Sequence, residues 1–328
     1  MGISPNQLSD FVPRPVFRGG HIQTLASFFL PRRIVLPSPE KRYIEVESGV
    51  SVLCHCHWQP DRQNALTIVV VHGLEGSSDS QYMLGVTAKG LAAGMNVVRM
   101  NQRNCGNTDG LSPTLYHSGR SHDVATVSQS LIDRDDVRRF ALVGFSMGGN
   151  LVLKTAGEWG KDGPGQFTAV AAVCPSLDLA ASADALHLPT NRVYELYFIW
   201  KLRRRFLAKA RLFPEKFDTR RLRGITSLRD FDDKITAYYS GFDGAADYYA
   251  RAAAANVIDR VVVPTLILHA VNDPFIRITP ETRQKILHNP KITFIETADG
   301  GHCSFLAQPD GDDGRWAETQ IIQFLQKL

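Results

Sequence analysis

No stretch of this chain is long and apolar enough to cross a bilayer. A spanning helix needs about 20 consecutive apolar residues; near the N-terminus the longest apolar run, Leu25–Leu30, is broken by Ser27. A secretory leader is not expected, since that run is too short. Cysteine is scarce, with five residues scattered over 328. An odd, dispersed set argues against a disulfide framework and for a reducing, cytoplasmic setting. An excess of one charge is lacking too: 37 Lys and Arg face 33 Asp and Glu, a net +4 that is too mild to indicate nucleic-acid binding. Neither an internal repeat nor a low-complexity segment is found, which excludes a solenoid.

What is there begins with Phe140-Ala-Leu-Val-Gly-Phe-Ser-Met-Gly-Gly-Asn150. A buried-type strand runs into Gly144-Phe145-Ser146-Met147-Gly148, and a helical pattern follows at once. This strand–turn–helix setting of G-x-S-x-G predicts a nucleophile elbow, with the Ser146 hydroxyl standing clear of the sheet. Gly144 and Gly148 leave room where a Cβ would collide. The Met147 amide opens the helix with a free N–H beside the positive end of its dipole, where it can stabilise an oxyanion.

Around this point strand and helix alternate. Tyr43–Val46 and Val50–Trp58 predict a hairpin turning at Ser48-Gly49. Leu66–Val71, Met95–Met100, Phe140–Phe145, Ala169–Cys174, Val261–Ala270 and Ile292–Glu296 read as strands. Helices are expected over Tyr82–Ala93, from a cap at Ser121 to Asp133, and over Trp316–Leu328. The pattern predicts an α/β fold with a mostly parallel, doubly wound sheet. Residues 1–40 read as a wrapping arm with a short helix near Gln23–Phe29 and no catalytic role. The core is expected over 41–176 and 257–328. Residues 177–256 carry no convincing strand and predict an inserted helical cap.

Positive charge is concentrated in that cap. Lys201–Arg223 contains ten Lys/Arg against two Asp/Glu. On a helix Lys201, Arg205 and Lys209 share a face, which could contact an anionic membrane surface or steer acidic, lipid-like substrates. A solvated rim is the plainer alternative. Cys54-His-Cys-His57 invites a metal reading, but in a strand the cysteines face one side and the histidines the other, so no metal site is expected.

Ser146, Asp273 and His302 occur in the order nucleophile, acid, base, each just after an expected strand. His302 would take the Ser146 proton, while Asp273 would fix its tautomer. Asp299, close to His302, is the alternative acid. With His72-Gly-Leu-Glu-Gly-Ser-Ser78, Arg103-Asn-Cys-Gly106, Phe231-Asp-Asp-Lys-Ile-Thr236 and Gly300-Gly-His302 added, the chain resembles the α/β-hydrolase superfamily. More narrowly it is similar to the YheT-like group, which includes bacterial esterase-like proteins and eukaryotic embryogenesis-associated and phospholipase-like relatives. The resemblance extends over most of the chain and includes Phe11-Val-Pro13 and His21-Ile-Gln-Thr24. It implies an α/β-hydrolase fold and a serine carboxylesterase or acyl-ester lipase with triad Ser146, Asp273 and His302. It also implies a second oxyanion amide at Leu74, beside that of Met147. No metal or organic cofactor is expected; the partner is a small-molecule or lipid-like ester. The alternatives are acyl transfer to an alcohol and a non-enzymatic ligand-binding protein on the same fold.

Overall fold

The computed structural model describes residues 10–309 and 311–328. Eight strands form one sheet in the order β1-β2-β4-β3-β5-β6-β7-β8: β1 (Glu40–Glu47), β2 (Val50–His57), β3 (Thr67–Val71), β4 (Asn96–Met100), β5 (Phe140–Phe145), β6 (Phe167–Val173), β7 (Thr265–Ala270) and β8 (Ile292–Thr297). The β1–β2 hairpin pairs antiparallel and adds β2 antiparallel to β4; from β4 to β8 every pairing is parallel. Strands covered on both faces need no alternation, and β3, β4, β5 and β7 are buried at every position.

Helices α1 (Gly20–Phe29), α2 (Gln81–Ala92), α3 (Ser121–Asp135) and α4 (Met147–Trp159) precede β6. Between β6 and β7 run α5 (Leu179–Leu186), α6 (Arg192–Leu212), α7 (Leu228–Phe231), a π-helical stretch Asp232–Ala237, α8 (Tyr238–Ser240) and α9 (Ala245–Ala252). Helices α10 (Pro280–His288) and α11 (Trp316–Gln326) complete the chain. Among the described residues no helix is long and apolar enough to cross a membrane.

Ser121 is the first helical residue of α3 and caps nothing; its hydroxyl donates to Glu158 at 2.5 Å. In β2, Cys54 and Cys56 join the core, whereas His55 meets the Ser78 hydroxyl and His57 the Arg99 guanidinium. The inserted segment builds its own apolar cluster, with Ile199, Leu202, Phe206, Phe217, Phe231 and Ile235 at its centre.

Candidate active site

Strand β5 ends one residue before Ser146, and α4 starts one residue after it. Ser146 itself adopts φ 55° and ψ −119°, a conformation that L side chains rarely take. Two glycines make so sharp a turn feasible. A Cβ on Gly144 would stand 2.3 Å from the Gly148 carbonyl oxygen, and one on Gly148 would stand 2.2 Å from that of Val71.

The parallel strands bring three distant loops together. Ser146 Oγ lies 3.0 Å from His302 Nε2, and His302 Nδ1 lies 2.8 Å from Asp273 Oδ2. The other carboxylate oxygen of Asp273 accepts the amides of Phe275 at 3.1 Å and Ile276 at 2.9 Å. Burial alone would push the Asp273 carboxyl up, but His302 and these donors outweigh it and hold its pKa below the ordinary range. Burial likewise opposes charge on His302; the neighbouring Cys303 sulfur, as thiolate, and the Asp273 carboxylate more than offset it and raise the imidazole above its usual 6.5.

Asp299 does something else. Its carboxylate accepts the Gly19 amide at 2.9 Å, the Asn272 side-chain amide at 2.7 Å and the Gly300 amide at 2.8 Å. It therefore ties the histidine loop to the N-terminal arm. That arm reaches further: Thr24 Oγ1 accepts the backbone amide of His302 at 2.9 Å, and Gln23 holds the amide and carbonyl of Leu306. The arm thus positions the histidine, a role that the sequence reading did not give it. The signal lay in His21-Ile-Gln-Thr24, where two polar side chains interrupt an apolar helix, but only the fold reveals what they meet.

The loop after β3 passes close to the serine, since a Cβ on Gly73 would stand 3.1 Å from Ser146 Cβ. Its amides are accounted for in turn. Gly73 donates to the Tyr82 hydroxyl, Glu75 to the Tyr116 hydroxyl and Gly76 to the Gly73 carbonyl. Among the described residues, the amides of Leu74 and Met147 donate to no protein acceptor. Both are therefore free to receive an oxyanion.

Glu75 is held in a left-handed backbone conformation at φ 57°. Its carboxylate takes a two-pronged bond from Arg205, at 2.7 and 3.0 Å, and a bond from the Tyr116 hydroxyl at 2.6 Å. Lys201 Nζ donates to the Glu75 carbonyl at 3.0 Å. Lys209 is fully buried against the carbonyls of Asp109 and Ser112, and burial lowers its pKa to about 8. The expectation that Lys201, Arg205 and Lys209 form a surface for membranes or acidic substrates is corrected accordingly. They do share one face of α6, but it points inward: Lys201 and Arg205 clamp the loop that carries Leu74, and Lys209 holds the Asp109–Ser112 turn. The charge count was right; which side of α6 faced solvent was not legible from its spacing.

Two cavities meet at Ser146. A small one, of about 120 Å³, lies under the inserted helices and is lined chiefly by apolar side chains such as Leu115, Met147, Leu179, Leu186 and Phe206. A larger one, of about 730 Å³, opens between α1 and α6 past Leu74, Tyr194, Phe275 and His302. Exposed Leu25, Phe28, Phe29 and Val193 line it, and exposed Trp200 lies beside Tyr197, another lining residue, with ring centroids 6.2 Å apart.

Residues 67–309 match the family described as the alpha/beta hydrolase fold. The chain belongs to that family. Within the α/β hydrolase fold it is similar to the candidate esterase YheT of Escherichia coli, with 29% identity over 97% of this chain and 93% of that protein. It is 24% identical to the embryogenesis-associated protein EMB8 of Picea glauca, over 96% of this chain and 71% of EMB8. To phospholipase ABHD3 of Homo sapiens it is 27% identical, over 82% of this chain and 65% of that one. Among solved structures, the Pyrobaculum calidifontis esterase superposes with a TM-score of 0.59 at 16% identity, over 93% of this chain and 88% of that chain. The Pyrococcus furiosus esterase Pf2001 gives 0.57 at 16% identity, over 90% and 95%. At that identity the two structures show the shared fold.

Proposed function

We propose that this α/β hydrolase is a serine esterase acting on carboxylic esters through an acyl-enzyme. The observation that carries the reading is the unbroken chain of contacts from Ser146 Oγ to His302 Nε2 at 3.0 Å and from His302 Nδ1 to Asp273 at 2.8 Å. Ser146 Oγ attacks the ester carbonyl as His302 Nε2 takes its proton. The carbonyl oxygen becomes anionic between the amides of Leu74 and Met147. His302 then protonates the departing alcohol, leaving an acyl group on Ser146. Water, deprotonated by His302, attacks that group and releases the acid. A panel of p-nitrophenyl esters of increasing chain length tests this, with Ser146→Ala as control. Labelling by a fluorophosphonate separates it from a non-enzymatic binding protein, which would not react.

The pH profile follows from the histidine. Only neutral imidazole can accept the serine proton, so kcat/KM is expected to rise with pH. Because the Cys303 sulfur and the Asp273 carboxylate together outweigh burial and stabilise the imidazolium, the half-point should lie above the ordinary histidine value of 6.5. A profile that is flat from about pH 5 to 9, with acylation rate-limiting, contradicts a histidine base.

The small cavity, lined chiefly by apolar side chains, fits the acyl group, and the larger one fits the alcohol portion. Exposed aromatic and aliphatic side chains around the open mouth favour an ester presented at a lipid–water surface. Exposed Arg204 lies over the Trp200 ring, and exposed Asp79 lines the cavity. Changing Phe28, Phe29 and Trp200 together to Ser is expected to lower turnover of vesicle-borne esters by about tenfold. Turnover of a soluble short ester should stay within about twofold. If both rates fall alike, the rim is structural.

A second reading, acyl transfer to an alcohol, is favoured by the room in the outer cavity. It is also favoured by similarity to a yeast relative named medium-chain fatty acid ethyl ester synthase/esterase 2, at 26% identity over 80% of this chain and 62% of that protein. The partition of product between acid and ester in added alcohol distinguishes the two.

A further inference from the structure

Two thiols lie beside the histidine and take no part in the reaction above. Cys174 directly follows β6, and Cys303 directly follows His302. Both occupy left-handed backbone, at φ 42° and φ 55°, a conformation that costs a non-glycine residue about 1–3 kcal/mol and concentrates at functional sites. These turns bring the sulfurs together. Cys174 Sγ accepts the Cys303 amide at 3.3 Å, and Cys303 Sγ lies 3.9 Å from His302 Nε2. Ligand atoms of Cys174, Cys303 and His302 all fall within 4.8 Å of one another.

We propose that Cys174 Sγ, Cys303 Sγ and His302 Nε2 form an inhibitory site for Zn²⁺ or a similarly thiophilic divalent cation. Zinc bonds of about 2.3 Å to sulfur and 2.0–2.1 Å to nitrogen place tetrahedral ligand atoms about 3.5–3.8 Å apart. The 3.9 Å between Nε2 and Cys303 Sγ is already close to that spacing. Two thiolates and one imidazole leave the fourth position for water or for Ser146 Oγ. Binding displaces two protons from the Cys174, Cys303 and His302 cluster, which leaves two thiolates and a neutral imidazole on one dication. The ion has a way in, because Cys303 lines the outer cavity. A second trio, Cys174, His269 and Asp273, is equally close but fully buried, and Asp273 is already committed to His302.

Inhibition follows from one lone pair. Nε2 cannot both coordinate zinc and accept the Ser146 proton. This consequence rests on the proposed esterase mechanism, but occupancy of the site does not. Two measurements therefore separate them. Stoichiometric Co²⁺ added to the Ser146→Ala protein should give a thiolate-to-cobalt charge-transfer band. The same band should be lost when Cys174→Ser or Cys303→Ser is combined with Ser146→Ala. In the esterase assay, Zn²⁺ should inhibit the otherwise unchanged protein and EDTA should restore it. The zinc concentration for half-inhibition should rise at least about tenfold in Cys303→Ser, each protein measured against its own zinc-free rate, since even loss of a partner that only supports a ligand costs about that much. Absence of the cobalt band overturns the site, whatever the assay shows. Zinc inhibition undiminished in both cysteine variants overturns it as well. A cobalt band in a protein that zinc does not inhibit overturns the inhibitory role.

Discussion

Replacing Ser146 with alanine is expected to lower ester hydrolysis by about 10⁶-fold, the loss typical of a nucleophile that acts as one unit with its base. It should also abolish labelling by a fluorophosphonate. The fold should survive, for local reasons. Alanine keeps the Cβ and so keeps whatever strain the turn carries at φ 55°. Among the described residues, the one side-chain hydrogen bond removed is that to His302, at 3.0 Å. The clearances around Gly144 and Gly148 are untouched. Melting temperature is therefore expected to shift little, and that control makes the kinetic result interpretable. A folded variant that still labels at the original rate would show that the nucleophile lies elsewhere. His302 would then need another proton donor within reach.

How much of this was legible in the sequence depends on how far apart the interacting residues lie. The elbow was legible because its physics is confined to five residues: two glycines to clear the turn and a helix beginning at Met147. The parallel sheet was legible because β3, β5 and β7 are apolar without alternation. Once those strands were in place, Ser146, Asp273 and His302 had to emerge at one end. The supporting contacts span most of the chain, and nothing local betrays them. Thr24 reaches His302 across 278 residues, and Arg205 reaches Glu75 across 130. A basic run looks the same on paper whether it meets solvent or a buried carboxylate. In α6 the outward face instead carries Val193, Leu196 and Trp200. The basic face expected to meet solvent is turned inward, and Val193 on the outward face lines the larger cavity.

The acid offers the sharper test, because two carboxylates stand near the histidine and chemistry assigns them different work. Asp273→Asn is expected to cost about 10⁴-fold in turnover with the fold intact. The amide keeps an oxygen to accept from Phe275 and Ile276. It then turns its NH₂ toward His302 Nδ1, where the carboxylate had accepted at 2.8 Å. Nδ1 must answer with its lone pair, which moves the ring proton to Nε2. That nitrogen then faces Ser146 as a donor and cannot take the serine proton. The imidazolium also loses its anion, so any residual activity should titrate at lower pH than in the unchanged protein. Asp299→Asn makes the opposite case. Asp299 accepts from Gly19, Asn272 and Gly300 and does not touch the imidazole. Its amide preserves much of that pattern, so activity should fall by no more than about tenfold, the cost of weakening one or two hydrogen bonds that hold a loop. Stability should fall with it. The paired variants, assayed for turnover and pH profile, decide the matter. If Asp299→Asn is crippled and Asp273→Asn nearly normal, the histidine takes its orientation from the arm-bound carboxylate. The 2.8 Å contact to Asp273 would then be a structural bond only.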